Sequence, residues 1–103
     1  MFAQRLDFLM RLTNTKSSSL GRVLYLDIST ISRLRSGKRE LPKGQDFIKA
    51  MSLYFAGKIK EELQRKGAAA VICPGKEWPL ETARAAELIH DFLVGGTGPA
   101  KEI

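Results

Sequence analysis

The sequence predicts an all-α fold: a bundle of four to five short helices followed by a C-terminal amphipathic helix. Three observations carry this. Apolar residues recur at three- and four-residue spacing along nearly the whole chain. No alternating apolar–polar run of useful length occurs. The breaks in the periodicity fall at glycine, proline, asparagine and serine, the residues that punctuate helices. A length of 103 residues fits one domain.

Each element has its own signal. Phe2, Leu6, Leu9 and Met10 form one stripe of a first helix, which Asn14 and Lys16 interrupt. Any of Ser17, Ser18 and Ser19 can cap a second helix carrying Leu20, Val23 and Leu24. Asp27 is a good N-cap for a third helix, Ile28 to about Ser36, with Ile31 and Leu34 facing inward. Gly37 stops it in the left-handed conformation that glycine adopts cheaply. Residues 38–44, with Pro42, read as a loop. Phe47, Met51, Tyr54 and Phe55 stripe a fourth helix. Gly57 is a candidate break, and Ile59 and Leu63 either continue that helix or open a fifth. Ala68–Ile72 is small and apolar and fits helix or strand. After the turn at Cys73–Lys76, Pro79 and Glu81 open a last helix with the stripe Ala85, Leu88, Ile89, Phe92 and Leu93. These elements divide into residues 1–67, a helical extension over 68–94, and a glycine-rich tail over 95–103 that reads as a linker or frayed end.

Composition narrows the function classes. No apolar run approaches the roughly 20 residues that span a bilayer, and Arg5, Asp7 and Arg11 interrupt the start where a secretory signal would be apolar. The single Cys73 excludes an internal disulfide and a thiolate-rich zinc cluster. The expectation is a cytoplasmic protein that needs no cofactor, no membrane and no small-molecule ligand. The net charge of +6 is unevenly placed. Residues 1–60 hold twelve Lys/Arg against four acids, whereas residues 61–103 hold five against seven. One basic surface facing a polyanion is the physical reading of such an imbalance.

The segment Leu20–Pro42, LGRVLYLDISTISRLRSGKRELP, is the most informative. Projected at 100° per residue, its third helix places Ile31 and Leu34 on one side and Ile28, Ser29, Ser32, Arg33 and Ser36 on the other. The outer face carries hydroxyls, one aliphatic group and one arginine, and no acid. Small side chains allow close approach to a major groove, hydroxyls and arginine reach base edges, and an aliphatic group meets a thymine methyl. Lys16 stands beside a helix N-terminus, where a phosphate is readily held.

In Leu20-Gly21 and in Ile28–Arg39, ISTISRLRSGKR, the chain resembles the phage-repressor (XRE/Cro-type) helix-turn-helix family over about residues 3–56. The resemblance implies a lambda-repressor-like helix-turn-helix bundle that binds double-stranded DNA sequence-specifically, regulates transcription as a repressor does, and acts as a homodimer. It assigns Ile28, Ser29, Ser32 and Arg33 to base reading. It assigns Ser17, Ser18, Ser19, Lys38, Arg39 and Lys43, alongside Lys16, to phosphate. Gly21 departs from the family's usual alanine, Tyr25 from a turn glycine, and Arg35 from a frequent glutamate; a glutamine common near the start of the second helix is absent, and Pro42 comes late.

Two alternatives stay open. The stripe Ala85, Leu88, Ile89, Phe92 and Leu93 either packs back on its own domain or forms a dimer interface with a second copy. The domain either binds DNA or is a protein-interaction module on the same scaffold, with 78–93 as its docking region; acids neutralising Arg33, Lys38 and Arg39 would favour the latter. An enzyme is not expected. Cys73 and His90 are the only nucleophile–base candidates, no acid stands out to orient them, and they do not fill a metal site. Gly95–Gly98 lacks the lysine and following helix of a phosphate loop.

Overall fold

Six α-helices and no strand make up residues 2–39 and 46–94, the part of the chain that the computed structural model describes. They are α1 (Phe2–Leu12), α2 (Ser17–Leu24), α3 (Ile28–Ser36), α4 (Phe47–Lys58), α5 (Glu62–Ile72) and α6 (Thr82–Leu93). The all-α expectation holds for these residues.

The first three helices form by the local chemistry the sequence carries, with adjustments at their ends. α1 buries Leu6, Leu9 and Met10, and Phe2 lies half-buried beside them. Two threonines stabilise its exit: the Thr13 hydroxyl donates to the Leu9 carbonyl at 2.7 Å and meets the Thr15 hydroxyl at 2.6 Å. Lys16, not a serine, occupies the N-cap of α2, so the three serines form its first turn. Val23 is exposed, and Gly21 is buried. Asp27 holds the N-cap position of α3 in extended backbone, without a side-chain cap bond. Gly37 ends α3 at φ 80°; its N–H donates to the Leu34 carbonyl at 3.3 Å and the Lys38 N–H to the Arg33 carbonyl at 2.9 Å. This Schellman arrangement satisfies the last carbonyls of the helix.

The turn between α2 and α3 is strained at one residue. Tyr25 is left-handed (φ 58°, ψ 41°) while its side chain is 95% exposed. The conformation costs a non-glycine residue about 1–2 kcal/mol, and glycine returns roughly 0.4–1 kcal/mol of that through a freer unfolded chain. Tyr25→Gly is therefore expected to raise stability by several tenths to about 1 kcal/mol. A higher urea midpoint at unchanged m-value is the readout.

α4 is the central element. Asp46 caps it by accepting from the Lys49 N–H at 3.0 Å. Phe47, Met51 and Phe55 are buried, and so is Ser52, whose hydroxyl donates to the Ile48 carbonyl at 2.6 Å. The helix runs through Gly57 to Lys58. A capping box between Glu61 and Gln64 then starts α5 afresh, which resets the helical register. Ile59 is consequently buried and Leu63 is 81% exposed, so their four-residue spacing does not mark a shared face. Ala68–Ile72 is helical, with Ala68 and Ile72 inside.

α6 starts at Thr82 with Glu81 at its N-cap; Pro79 precedes it instead of opening it. Its principal neighbour is α4, with α1 and α5 at its flanks. Ala85, Ile89, Phe92 and Leu93 are buried within the chain and Leu88 is half-buried. Phe92 meets the Phe8 ring edge-on at 6.0 Å and the Arg5 guanidinium at 5.5 Å. The assignment of this stripe to a dimer interface is corrected here: its apolar surface is already covered by the chain's own helices. Trp78, also buried, joins the same core, which draws on all six helices and thus spans 1–67 and 68–94 alike. The boundary expected at residue 67 falls within α5, and the predicted tail 95–103 lies outside the described residues.

Candidate nucleic-acid interface

α3 divides cleanly into two faces. Thr30, Ile31 and Leu34 are buried against the bundle. Ser29, Ser32, Arg33 and Ser36 are exposed, and Ile28 is 57% exposed. Ser36 donates to the Arg33 carbonyl at 3.2 Å, which ties that hydroxyl to the helix end. The glycine stop turns the chain back so that the Lys38 backbone lies against the Arg33 carbonyl, and Lys38 and Arg39 emerge exposed beside the last turn of α3.

The phosphate candidates divide less evenly. Lys16 and Ser18 are exposed at the start of α2, with Arg22 one turn on, while Ser17 and Ser19 are half-buried. Lys43 lies outside the described residues. Among the described residues, none of Lys16, Arg22, Arg33, Lys38 and Arg39 is ion-paired. Asp27 is the one acid between positions 16 and 39, at the exposed start of α3. The acids that would have favoured the interaction-module reading do not neutralise this face among the described residues.

Arg35 is the cation that periodicity could not place. Its Nε and Nη2 donate to one Asp7 carboxylate oxygen at 3.0 and 2.5 Å, while the other oxygen accepts from Arg11 at 2.7 Å. The pair ties α3 to α1 at the edge of the exposed face, beside Ile28 in helical projection. The hydrogen bond from Arg35, aided by the positive charge of both arginines, holds the Asp7 carboxyl below its ordinary 3.8 despite partial burial. A carboxylate whose pKa is depressed on folding contributes stability above the unfolded value and loses it as pH falls through the folded one. The stability gap between the wild type and Asp7→Asn is therefore expected to be constant at neutral pH and to close below about pH 4. Urea unfolding at pH 7 and at stepwise lower pH measures it. A gap that persists unchanged into strong acid would show that the carboxylate charge is irrelevant.

The remaining chemical candidates stand on different elements. Cys73 caps the end of α5, and burial pushes its thiol up, away from the reactive thiolate. His90 sits on α6 with Nδ1 3.5 Å from its neighbour Asp91. Among the described residues, no group of three or more His, Cys, Asp or Glu is placed to hold a metal ion. No helix there is long and apolar enough to cross a membrane. No protein-family model, curated protein or solved structure matches the chain.

Proposed function

We propose that this chain binds double-stranded DNA sequence-specifically through α3 and regulates transcription, with α2, the turn and α3 acting as a helix-turn-helix. One observation carries the reading. Ile28, Ser29, Ser32 and Arg33 are exposed together on one face of α3, next to Lys38 and Arg39, and no described acid pairs with the cations. Such a face can enter a major groove and meet base edges, while Lys16, Lys38 and Arg39 at the two ends fix the register on phosphates. The role is that of a binding protein and not of an enzyme. A homodimer would set a second α3 about 34 Å away on the same side of the duplex, through a surface other than the buried α6 stripe.

The test is binding to random-sequence duplex across a salt series, with selection run on the bound pool. Steep salt dependence and an enriched motif are expected. A palindromic motif would establish two copies, and a single half-site one copy. No binding at about 50 mM salt, where the electrostatic attraction is strong, would overturn the proposal. Within the same series, Lys38→Ala and Arg39→Ala are each expected to lower the log–log salt slope by about one unit. An unchanged slope would remove that residue from the phosphate contacts.

A further inference from the structure

We propose that Tyr25 is an uncharged anchor on the DNA backbone, its phenol hydroxyl donating to a phosphate oxygen and its ring lying against the adjoining sugar. The inference rests on the DNA-binding reading above and adds a residue to it. Tyr25 holds a left-handed backbone that glycine would adopt without strain. Within its own chain the side chain gains nothing in exchange. It is 95% exposed, and among the described residues it takes part in no hydrogen bond, ring contact or cation–π contact. The backbone bonds of this turn to the Gly21 carbonyl would form equally with glycine, so a strained tyrosine whose side chain is unpartnered points to a contact made outside the chain.

The surroundings identify that contact. Tyr25 closes α2 and stands three residues before Ile28, the first residue of α3. In the docking geometry of this motif the first helix crosses the backbone and the second enters the groove at its N-terminal end. The intervening turn thus passes close to the sugar–phosphate edge. Arg22, exposed one turn earlier, is the cation nearest in the chain, and Lys16 at the far end of α2 with Arg33, Lys38 and Arg39 towards the far end of α3 extend a basic character along the motif that suits a polyanion better than an apolar protein surface. Asp27 is the exception, and its exposed carboxylate is an acceptor suited to an amino edge such as cytosine N4. Tyrosine hydroxyls are among the uncharged donors that reach phosphate oxygens. Such a contact releases no counterion, so it strengthens binding without steepening the salt dependence.

The experiment measures Kd on the selected duplex, or on random-sequence duplex at low salt if nothing is enriched, for the full chain and for Tyr25→Gly, Tyr25→Asn and Tyr25→Phe across a salt series. Asparagine tolerates the left-handed turn, as Asn14 does in this chain at φ 53°, so it separates loss of the side chain from added flexibility. The Gly and Asn variants are expected to bind about tenfold more weakly at every salt concentration, with slopes parallel to the wild type. The Phe variant is expected to fall between. The stability of the Gly variant should rise while its affinity drops, a combination a merely structural residue does not produce. Wild-type affinity in both Gly and Asn variants would overturn the contact while leaving DNA binding intact. Loss confined to Gly would assign the effect to turn flexibility and likewise overturn it. A slope lowered by a full unit would exclude an uncharged anchor. Failure of the wild type to bind any duplex would overturn the DNA reading and this inference together.

Discussion

Replacing Gly21 with alanine is expected to destabilise the fold by about 1–3 kcal/mol. Helix propensity alone gives the opposite sign, since alanine in a helix interior gains roughly 0.5–1 kcal/mol over glycine. Packing decides. A Cβ at position 21 would lie 2.5 Å from the Leu26 carbonyl oxygen and 3.5 Å from Ile31 Cγ1. The closer atom is backbone, in the turn that folds onto α2 through the Leu26 N–H to Gly21 carbonyl bond at 2.9 Å. No rotamer change can relieve it, so the turn itself must shift, and α3 is carried on that turn. Gly57 supplies the internal control. A Cβ there meets nothing within 4 Å, so Gly57→Ala should leave stability unchanged or raise it by up to about 1 kcal/mol. Urea unfolding of both variants checks the pair. Equal effects at the two positions would mean that the turn yields easily.

Helix existence followed from periodicity: Leu6, Leu9 and Met10, or Phe47, Met51 and Phe55, repeat at helical spacing because one face must leave water. Helix ends followed only where chemistry was local, as at Gly37. Periodicity failed where a boundary reset the phase. Ile59 and Leu63 look like one stripe until the Glu61–Gln64 box begins a new helix between them. The α6 stripe shows a different limit. Its spacing proves that it must be covered and cannot say by what, and the answer, α4 of the same chain, is a long-range packing fact.

The candidate site was legible to the same depth. Which residues of α3 face outward is a matter of angle, and Ser29, Ser32 and Arg33 are exposed as projected. Which cations are committed elsewhere is not. Arg33 and Arg35 are two residues apart and identical in type, yet Arg35 is held by Asp7, 28 positions earlier. The one available signal was scarcity: Asp7 is the sole acid before Asp27, and a partly buried arginine on the neighbouring helix is its natural partner.

This difference between the two arginines sets the last expectation. Arg33→Ala should weaken binding to the selected duplex by about 1–3 kcal/mol, roughly 5- to 150-fold, and relax selection at one base pair. A bidentate arginine on guanine offers two donors to O6 and N7, and no other base pair presents that pair of acceptors at the same place in the major groove. The loss should therefore be large on the preferred sequence and small on duplexes altered at that position. Stability should stay within about 0.5 kcal/mol of the wild type, because Arg33 is exposed and unpaired among the described residues. Arg35→Ala should do the reverse, lowering stability by removing the inter-helix partner of Asp7, which keeps only Arg11 of its own helix, while leaving the sequence preference in place. Repeating the selection with each variant separates the cases. A uniform loss across all sequences with Arg33→Ala, accompanied by a slope lower by one unit, would move Arg33 from the bases to the phosphates. Recognition would then rest on Ile28, Ser29 and Ser32, a face with no ionic donor to bases.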